Sequence, residues 1–577
     1  MLKLGTVFSG IGSIEHALER LNIPYEISFA CDNGDVNIFE KQIKKNFTEM
    51  STAVNDLLVH LDNAEKPINN DNNTISIKDQ KRIILDDLNC LQDLQDSFFK
   101  KHITLLEDIL KIAFTHKEIL SPTATRIVEL NIKKVDLNNL NTLVKELEKK
   151  KIIVSNEFDN MIKKIKKDEL YKETNKTHNK IISDINTVYE RVETAKIYAH
   201  LDTLDSYKSK KEYIDSIYIN KENSNFVYKT YKENYDIKKE NFHWNASFLD
   251  GRQYKDEIDL FVGGSPCQSF SMVGKRKGLQ DTRGTLFYEF ARLIDEMKPK
   301  VFIYENVRGL LSHDGGNTWE VMQQVFDDLN YDWSMKLLNA KDFNIPQNRE
   351  RVFVVGYRRD LDLSDKFEFP TPIPLEKTMQ DFLVENVSGK YFLAKKGVDF
   401  VTSEKNIAKR YTQIDGDIQL CQKANQQFNW HGDFVFVENK KSKEQIIDEL
   451  DKYFLSEKVK KYVLASGTKG FYSKPEIDLE IARPLLTTMH KMHRAGVDNY
   501  VTTEGRLRKL TPRECLRLMG FCDSFKIVVS DTQMYRQAGN SVVVNIFIHL
   551  IKSISKSLPE IFNGGLLSDT SKVELNE

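Results

Sequence analysis

Cys267 stands in the run Gly263-Gly264-Ser265-Pro266-Cys267-Gln268-Ser269-Phe270-Ser271, directly after the apolar stretch IDLFV (258–262). A thiol at the end of a strand, beside a proline that fixes the backbone, is well placed to be an exposed nucleophile. Taken alone, a cysteine is more often an inert core residue, and that reading stays open for the segment by itself. Two further places could hold a ligand. In Phe8-Ser9-Gly10-Ile11-Gly12-Ser13 a strand-like run breaks into glycines before a helix, so backbone can approach a ligand at a helix N-terminus. A tight turn would read the same. Asp32 ends a second strand-like run, YEISFACD, where an acidic residue commonly holds ribose hydroxyls; a surface carboxylate is the plain alternative.

The elements that must present these residues read as α/β. KLGTVFSGIG starts as a strand and SIEHALERL follows as an amphipathic helix, while IDLFVGG, KVFIYENV and ERVFVVGY read as buried parallel strands. Alternating strands and helices predict a doubly wound sheet with the active-site residues at the strand ends. Glycine partitions the chain: there are 26, and none lies between Asp35 and Asp250. Such a run, with only Pro67 and Pro122 inside it, predicts long helices. Leu137, Leu140, Val144 and Leu147, and then Ile181, Ile185, Val188, Val192 and Ala195, recur at intervals of three and four. Charge-rich KELEKKK (145–151) and KKIKK (163–167) fit solvated helix faces. The expected organisation is 1–50 and 244–375 as catalytic core, 51–243 as a mostly helical insertion, 376–500 as a separate domain, and 501–577 completing the core. A self-packed helical module is the plain reading of the insertion; contact with DNA and self-association into an oligomer stay open.

Composition sets only loose limits. At 577 residues the chain is too long for one compact core, and 40% hydrophobic with 29% charged residues is ordinary for a globular protein. Six scattered cysteines without CxxC spacing argue against a zinc site or a disulfide framework and fit a reducing cytoplasm; no metal is expected. MLKLGTVFSG lacks the pattern of an export signal, and the apolar stretch 542–551 is broken by Asn545 and His549 and too short to span a bilayer. A net charge of −1 neither supports nor excludes nucleic acid, because one local basic face suffices to grip it.

The motifs together resemble the DNA cytosine-5 methyltransferases of bacterial restriction-modification type. GGSPCQSFS, Glu305-Asn306-Val307, Gln347-Asn348-Arg349-Glu350-Arg351 and Gln537-Ala538-Gly539-Asn540-Ser541-Val542 stand in that family's order, with FSGIGS and RGTLF (283–287) in the remaining places. The likeness covers about 1–50, 244–375 and 505–550. It implies an S-adenosylmethionine-dependent enzyme that flips a cytosine out of double-stranded DNA and methylates carbon 5. Cys267 would attack carbon 6 of the base. Glu305 would contact ring nitrogen 3 and the exocyclic amine, and Arg351 with Arg349 would hold the base oxygen and position Glu305. For the cofactor it implies Phe8, Gly10, Gly12, Asp32, Pro266, Leu286, Asn540 and Val542. For DNA it implies Gln268, Ser271, Gln347 and the basic loop GKRKGLQDTRGTLF (274–287), whose Lys275, Arg276, Lys277 and Arg283 could meet phosphates; a solvated basic loop is the bland alternative.

Some positions depart from the family pattern. The acidic residue usual before the catalytic strand is replaced in His243-Trp244-Asn245-Ala246-Ser247-Phe248, leaving the adenine contact unassigned between Asn245 and Ser247. Ser265 replaces a common proline, a change expected to matter little. Residues 376–500 occupy the place of a target-recognition domain. Tyr391, Phe392, Trp430, Phe434, Lys440 and Lys441 supply aromatic and basic character there, but no readable code. A transfer-RNA cytosine-5 methyltransferase is a rival reading, against which stands the lack of a Cys-Phe-Thr signature. A catalytically silent DNA-binding scaffold is another, against which stand the intact Cys267 and Glu305. No nuclease-type cluster stands out, so a cognate restriction endonuclease, if present, is a separate protein.

Overall fold

The computed structural model describes residues 1–34, 36, 38, 39, 41, 43, 47–62, 77–129, 137–150, 152, 153, 166–265, 286–363, 367–383, 392, 393, 395–420, 430–435, 479–483, 500–503 and 506–562. The chain divides into two compact units: Met1–Val36 with Lys211–Glu577, and Asn37–Lys210.

The first unit is built on a seven-stranded sheet. Its opening run is β1 (Leu2–Val7), α1 (Ser13–Arg20) and β2 (Tyr25–Cys31). The second unit supplies α2 (Phe47–Asp62), α3 (Ile77–Thr115), α4 (Pro122–Val128), α5 (Leu137–Lys149) and α6 (Glu169–Leu201). The chain returns through α7 (Tyr207–Tyr218) and α8 (Phe226–Asn234) to β3 (Phe242–His243), β4 (Leu260–Gly263), α9 (Leu286–Met297), β5 (Val301–Val307), α10 (Asn317–Asp328), β6 (Tyr331–Asn339) and β7 (Glu350–Arg358). The strand order is β3-β2-β1-β4-β5-β7-β6. Strands β1 to β5 pair in parallel, whereas β7 runs antiparallel to both β5 and β6.

That orientation corrects the expectation that ERVFVVGY is a parallel strand. Its composition is that of a fully buried strand, and Val352 to Val355 are indeed inaccessible. Direction, however, is set by the connection. Only residues 340–349 separate β6 from β7, with no crossover helix, so the chain can only fold back on itself.

Helices cover both faces of this sheet. On one, α9 and α10 close an aromatic core in which Phe261 stacks on Phe290 at 4.8 Å and Phe302 on Phe326 at 5.6 Å. On the other, α1 packs against α15 (Val544–Ser557), whose Ile546, Leu550, Ile551 and Ile554 are buried. Its amphipathic face is what carries the apolar run near the C-terminus. The last strands and helices are β8 (Phe392–Leu393), α11 (Lys395–Val401), α12 (Glu404–Ala408), β9 (Thr412–Leu420), β10 (Gly432–Phe434), β11 (Leu479–Arg483), β12 (Tyr500–Thr503), β13 (Arg506–Lys509), α13 (Pro512–Arg517) and α14 (Asp531–Asn540) before α15. Strands β10-β9-β11 and β12-β13-β8 form two small sheets. A boundary at 500 would cut the β12–β13 hairpin, which pairs back to β8 and so belongs with the preceding segment. Trp430 and Phe434 are buried core residues there, not surface aromatics; Tyr391, Lys440 and Lys441 lie outside the described residues.

In the helical unit, α2, α3 and α6 share a core of Val54, Leu57, Ile84, Leu88, Leu91, Ile181, Ile185, Val188 and Val192. A second cluster joins Ile109 and Ala113 of α3 to Ala124, Ile127, Leu143, Val144 and Leu147. The unit spans Asn37–Lys210 rather than 51–243. Residues 211–243 pack on the sheet because α8 sends buried tyrosines into its core: Tyr228 and Tyr231 lie against Phe242 of β3.

Candidate active site

The order of strands reverses between β2-β1 and β4-β5, so a crevice opens beyond the carboxyl ends of β1 and β4, where parallel sheets bind ligands. The loop 8–12 leaves β1 at that point. Phe8, Gly10 and Gly12 all have positive φ (55°, 56° and 80°), a conformation costly for Phe8 and natural for the glycines. A Cβ added at Gly10 would meet nothing nearer than 4.0 Å, so its outer face is open to a ligand. The inner face is tied down. Gly10 N–H donates to Asp32 Oδ2 at 2.9 Å, Cys31 N–H donates to Ser9 Oγ at 3.1 Å, and Tyr235 OH donates to the Gly12 carbonyl at 2.8 Å. Asp32 Oδ1 accepts from Gly34 N–H at 2.8 Å. Asp32 is thus a structural pin of the loop.

One helix joins the first loop, Asp32 and α14. Asn225, the fully buried N-cap of α8, donates to the Asp32 carbonyl at 3.0 Å. Tyr235 reaches the first loop at Gly12, Tyr231 donates to Glu15 of α1, and Thr230 donates to Gln537 Oε1 at 2.9 Å. Gln537 lies on α14, which ends at Asn540; Val542 is half-buried in the link to α15. Leu286, half-buried, opens α9. Nothing in the sequence reading singled out α8. The signal available was the tyrosine spacing Tyr228, Tyr231, Tyr235, which falls on one helix face.

Glu305 sits near the end of β5. Burial pushes its carboxyl above the usual carboxylate range, and the guanidinium groups of Arg351 and then Arg349 pull it back. Arg351 Nε approaches Glu305 Oε1 at 3.1 Å. Gly264 lies against this carboxylate: a Cβ there would fall 2.8 Å from the Glu305 carbonyl oxygen and 2.9 Å from Oε2. The approach to the catalytic loop is fixed by polar contacts. Asn306 Nδ2 donates to the Ser265 carbonyl at 3.0 Å, and Ser265 Oγ and Tyr304 OH are 2.7 Å apart. A proline at 265 could not make the second contact. Pro266, Cys267, Gln268, Ser271, Lys275, Arg276, Lys277 and Arg283 lie outside the described residues.

Two residues of the QNRER segment face elsewhere than expected. Arg349 is buried, and its Nη2 donates to the carbonyls of Gly539 and Ser541 at 3.0 and 2.8 Å. It fastens this segment to the last motif and acts on Glu305 through its charge, while Arg351 pairs with Glu305 directly. Gln347 is fully buried and donates to the Leu518 carbonyl at 2.8 Å, so it lies in the core and not on a DNA-facing surface. Asn245 Oδ1 caps a short turn by accepting from Ser247 N–H at 2.9 Å, and its amide nitrogen lies 3.5 Å from Tyr218 OH.

The end of β4 thus brings Gly264 against a carboxylate held by an arginine, and the end of β1 carries a glycine loop at the switch point. The family model of the C-5 cytosine-specific DNA methylases matches residues 208–556, more than half of the chain. The chain belongs to this family. This DNA (cytosine-5)-methyltransferase uses S-adenosylmethionine as methyl donor. It is 32% identical over 300 residues to the Type II methyltransferase M.HhaI of Haemophilus parahaemolyticus, covering 52% of this chain and 76% of that one. It is 33% identical over 342 residues to the Type II methyltransferase M.SsoII of Shigella sonnei, covering 58% and 72%. The orphan methyltransferase M.SPRI of Bacillus phage SPR is 31% identical over 364 residues, covering 52% and 82%.

Proposed function

We propose that the methyltransferase is sequence-specific and acts on a cytosine flipped out of double-stranded DNA, with Cys267 as covalent nucleophile. Carbon 5 of cytosine is a weak nucleophile, so electron density must first be added to the ring. A Cys267 thiolate attacking carbon 6 does this, with Glu305 answering the charge change at ring nitrogen 3. The observation that carries the reading is the Glu305–Arg351 pair lying against Gly264, three residues before Cys267 in the chain. Burial favours the protonated form of Glu305, which can donate to the ring nitrogen. Arg351 keeps the group oriented and is placed to reach the base oxygen.

The open face of Gly10, the pinned Asp32 and the neighbouring end of α14 fit an adenosine-bearing cofactor. S-adenosylmethionine supplies the electrophilic methyl group. Phe8, Gly10, Gly12, Asp32, Pro266, Leu286, Asn540 and Val542 would hold it. Gln268, Ser271, Lys275, Arg276 and Arg283 would face DNA, and residues 376–509 would read the target.

Bisulfite sequencing of plasmid DNA from cells expressing wild type or Cys267→Ser tests this reading. Protected cytosines in one fixed motif, absent with the variant, are expected; protection that survives Cys267→Ser would refute the covalent route. The relatives include both Type II and orphan enzymes. We favour a modification role in the cytoplasm, paired with an endonuclease of the same specificity. Resistance of the methylated plasmid to a nuclease from the same cells is the matching test.

A further inference from the structure

Behind the cofactor loop lies an acidic cluster that the reaction scheme does not use. Glu15, in the first turn of α1, is fully buried. Its Oε1 accepts from Tyr231 OH at 2.5 Å and from Thr6 Oγ1 at 3.4 Å, and Thr6 Oγ1 lies 2.7 Å from Ser9 Oγ inside the loop. Its Oε2 has no hydrogen-bond partner. The groups that act on this site are Glu19 from α1, Tyr25 from the start of β2, and Tyr231 and Tyr235 from α8. Among the described residues, those acting on it are acids or phenols and none is a cation. Burial raises the Glu15 carboxyl to about 7, against the smaller opposing effect of Tyr231.

A buried carboxylate with one unanswered oxygen and no neighbouring cation is completed by a cation arriving from outside. The hydrogen-bonded chain from Oε1 through Thr6 to Ser9 leads from the carboxylate to the loop. We propose that ionised Glu15 is a charge sensor behind the cofactor loop that favours the sulfonium of S-adenosylmethionine over the neutral thioether of S-adenosylhomocysteine, helping substrate in and product out. This rests on the reading of residues 8–12 as the cofactor loop. The two ligands share their amine, carboxylate and adenosine, so the discrimination depends on the sulfonium charge alone. Binding of the cation draws Glu15 into its ionised form, and the displaced proton passes to the buffer.

Calorimetry of the full-length protein between pH 6 and 8.5, in buffers of different ionisation enthalpy, reads both affinity and proton release. In the wild type the preference for S-adenosylmethionine over S-adenosylhomocysteine should grow by about three- to tenfold as pH rises through neutrality, as expected for a charge acting across a partly shielded interior. S-adenosylmethionine should release a fraction of a proton near pH 7, and S-adenosylhomocysteine none. Sinefungin, with an amine in place of the sulfonium, should follow S-adenosylmethionine. Glu15→Gln should bind both ligands with a pH-independent ratio. Tyr231→Phe, which removes a donor to the carboxylate, should move the wild-type midpoint upward. A ratio that is flat with pH in the wild type, or equal proton release for the two ligands, would overturn the proposal without any variant. Gly10→Val separates the underlying reading: if it binds both ligands normally, residues 8–12 are not the cofactor loop.

Discussion

Glu305 is half-buried, with the Arg351 guanidinium against its charge. Removing that partner in Arg351→Ala should cost about 1–3 kcal/mol of stability, as for a lost hydrogen bond at a partly buried site where the acid can take up a proton, together with most of the activity. Glu305→Gln keeps the shape and should fold, yet slow methyl transfer by about 100-fold or more. Single-turnover assays beside thermal melts separate the two effects. Glu15 makes a different prediction. Its carboxyl is raised to about 7 from the ordinary 4.5, so between those values the folded state holds a proton that the unfolded chain has lost. Its contribution to stability is complete below about pH 4.5, falls as pH rises to about 7, and is flat above. Urea melts across that range should show the slope in the wild type and a shallower one in Glu15→Gln. Residue-scale legibility was uneven. The resemblance pointed to Glu305 and Arg351 together, and the structure brings them into contact. It also grouped Arg349 with Arg351, but strand alternation begins only at Glu350, so spacing could not say where Arg349 points.

At the scale of elements, α8 ties the first loop, Asp32 and α14 into one body. Asn225→Ala should raise KM for S-adenosylmethionine about three- to tenfold with kcat little changed, since it holds the binding frame and touches no reacting atom. Steady-state kinetics at saturating DNA would check this. Equal loss in kcat would mean that the helix also supports the catalytic loop. Strand positions were legible from β-branched runs ending in turns. The direction of β7 was not, because burial on both faces yields the same composition in either orientation; the short link before it was the usable clue. The role of α8 was hidden inside a glycine-free stretch that reads uniformly as helix.

For the whole molecule, the division at Lys210 gives a sharp expectation. Replacing residues 37–210 with a short Gly-Ser linker should leave a folded protein that still binds S-adenosylmethionine, as calorimetry would show. Extending the cut to 243 removes Tyr231, Tyr235, Asn225 and β3, and should yield insoluble protein. If both cuts behaved alike, the helical unit would be part of the folding core. Composition marked the presence of this unit but not its end, because helix 226–234 has the same polar and aromatic make-up as the helices before it.

Within the sheet unit, a Cβ at Gly34 would overlap Asn225 Oδ1 at 2.1 Å, so two points of the chain 191 residues apart touch. The chain leaves the sheet and re-enters it through one doorway. Such a doorway is indifferent to the size of what hangs from it, because loop length adds little entropy once the ends are fixed. It makes the enzyme a natural chassis: a fluorescent protein or a ligand-responsive module could be spliced between those two points, beside the residue that pins the cofactor loop, and read out the occupancy of the site.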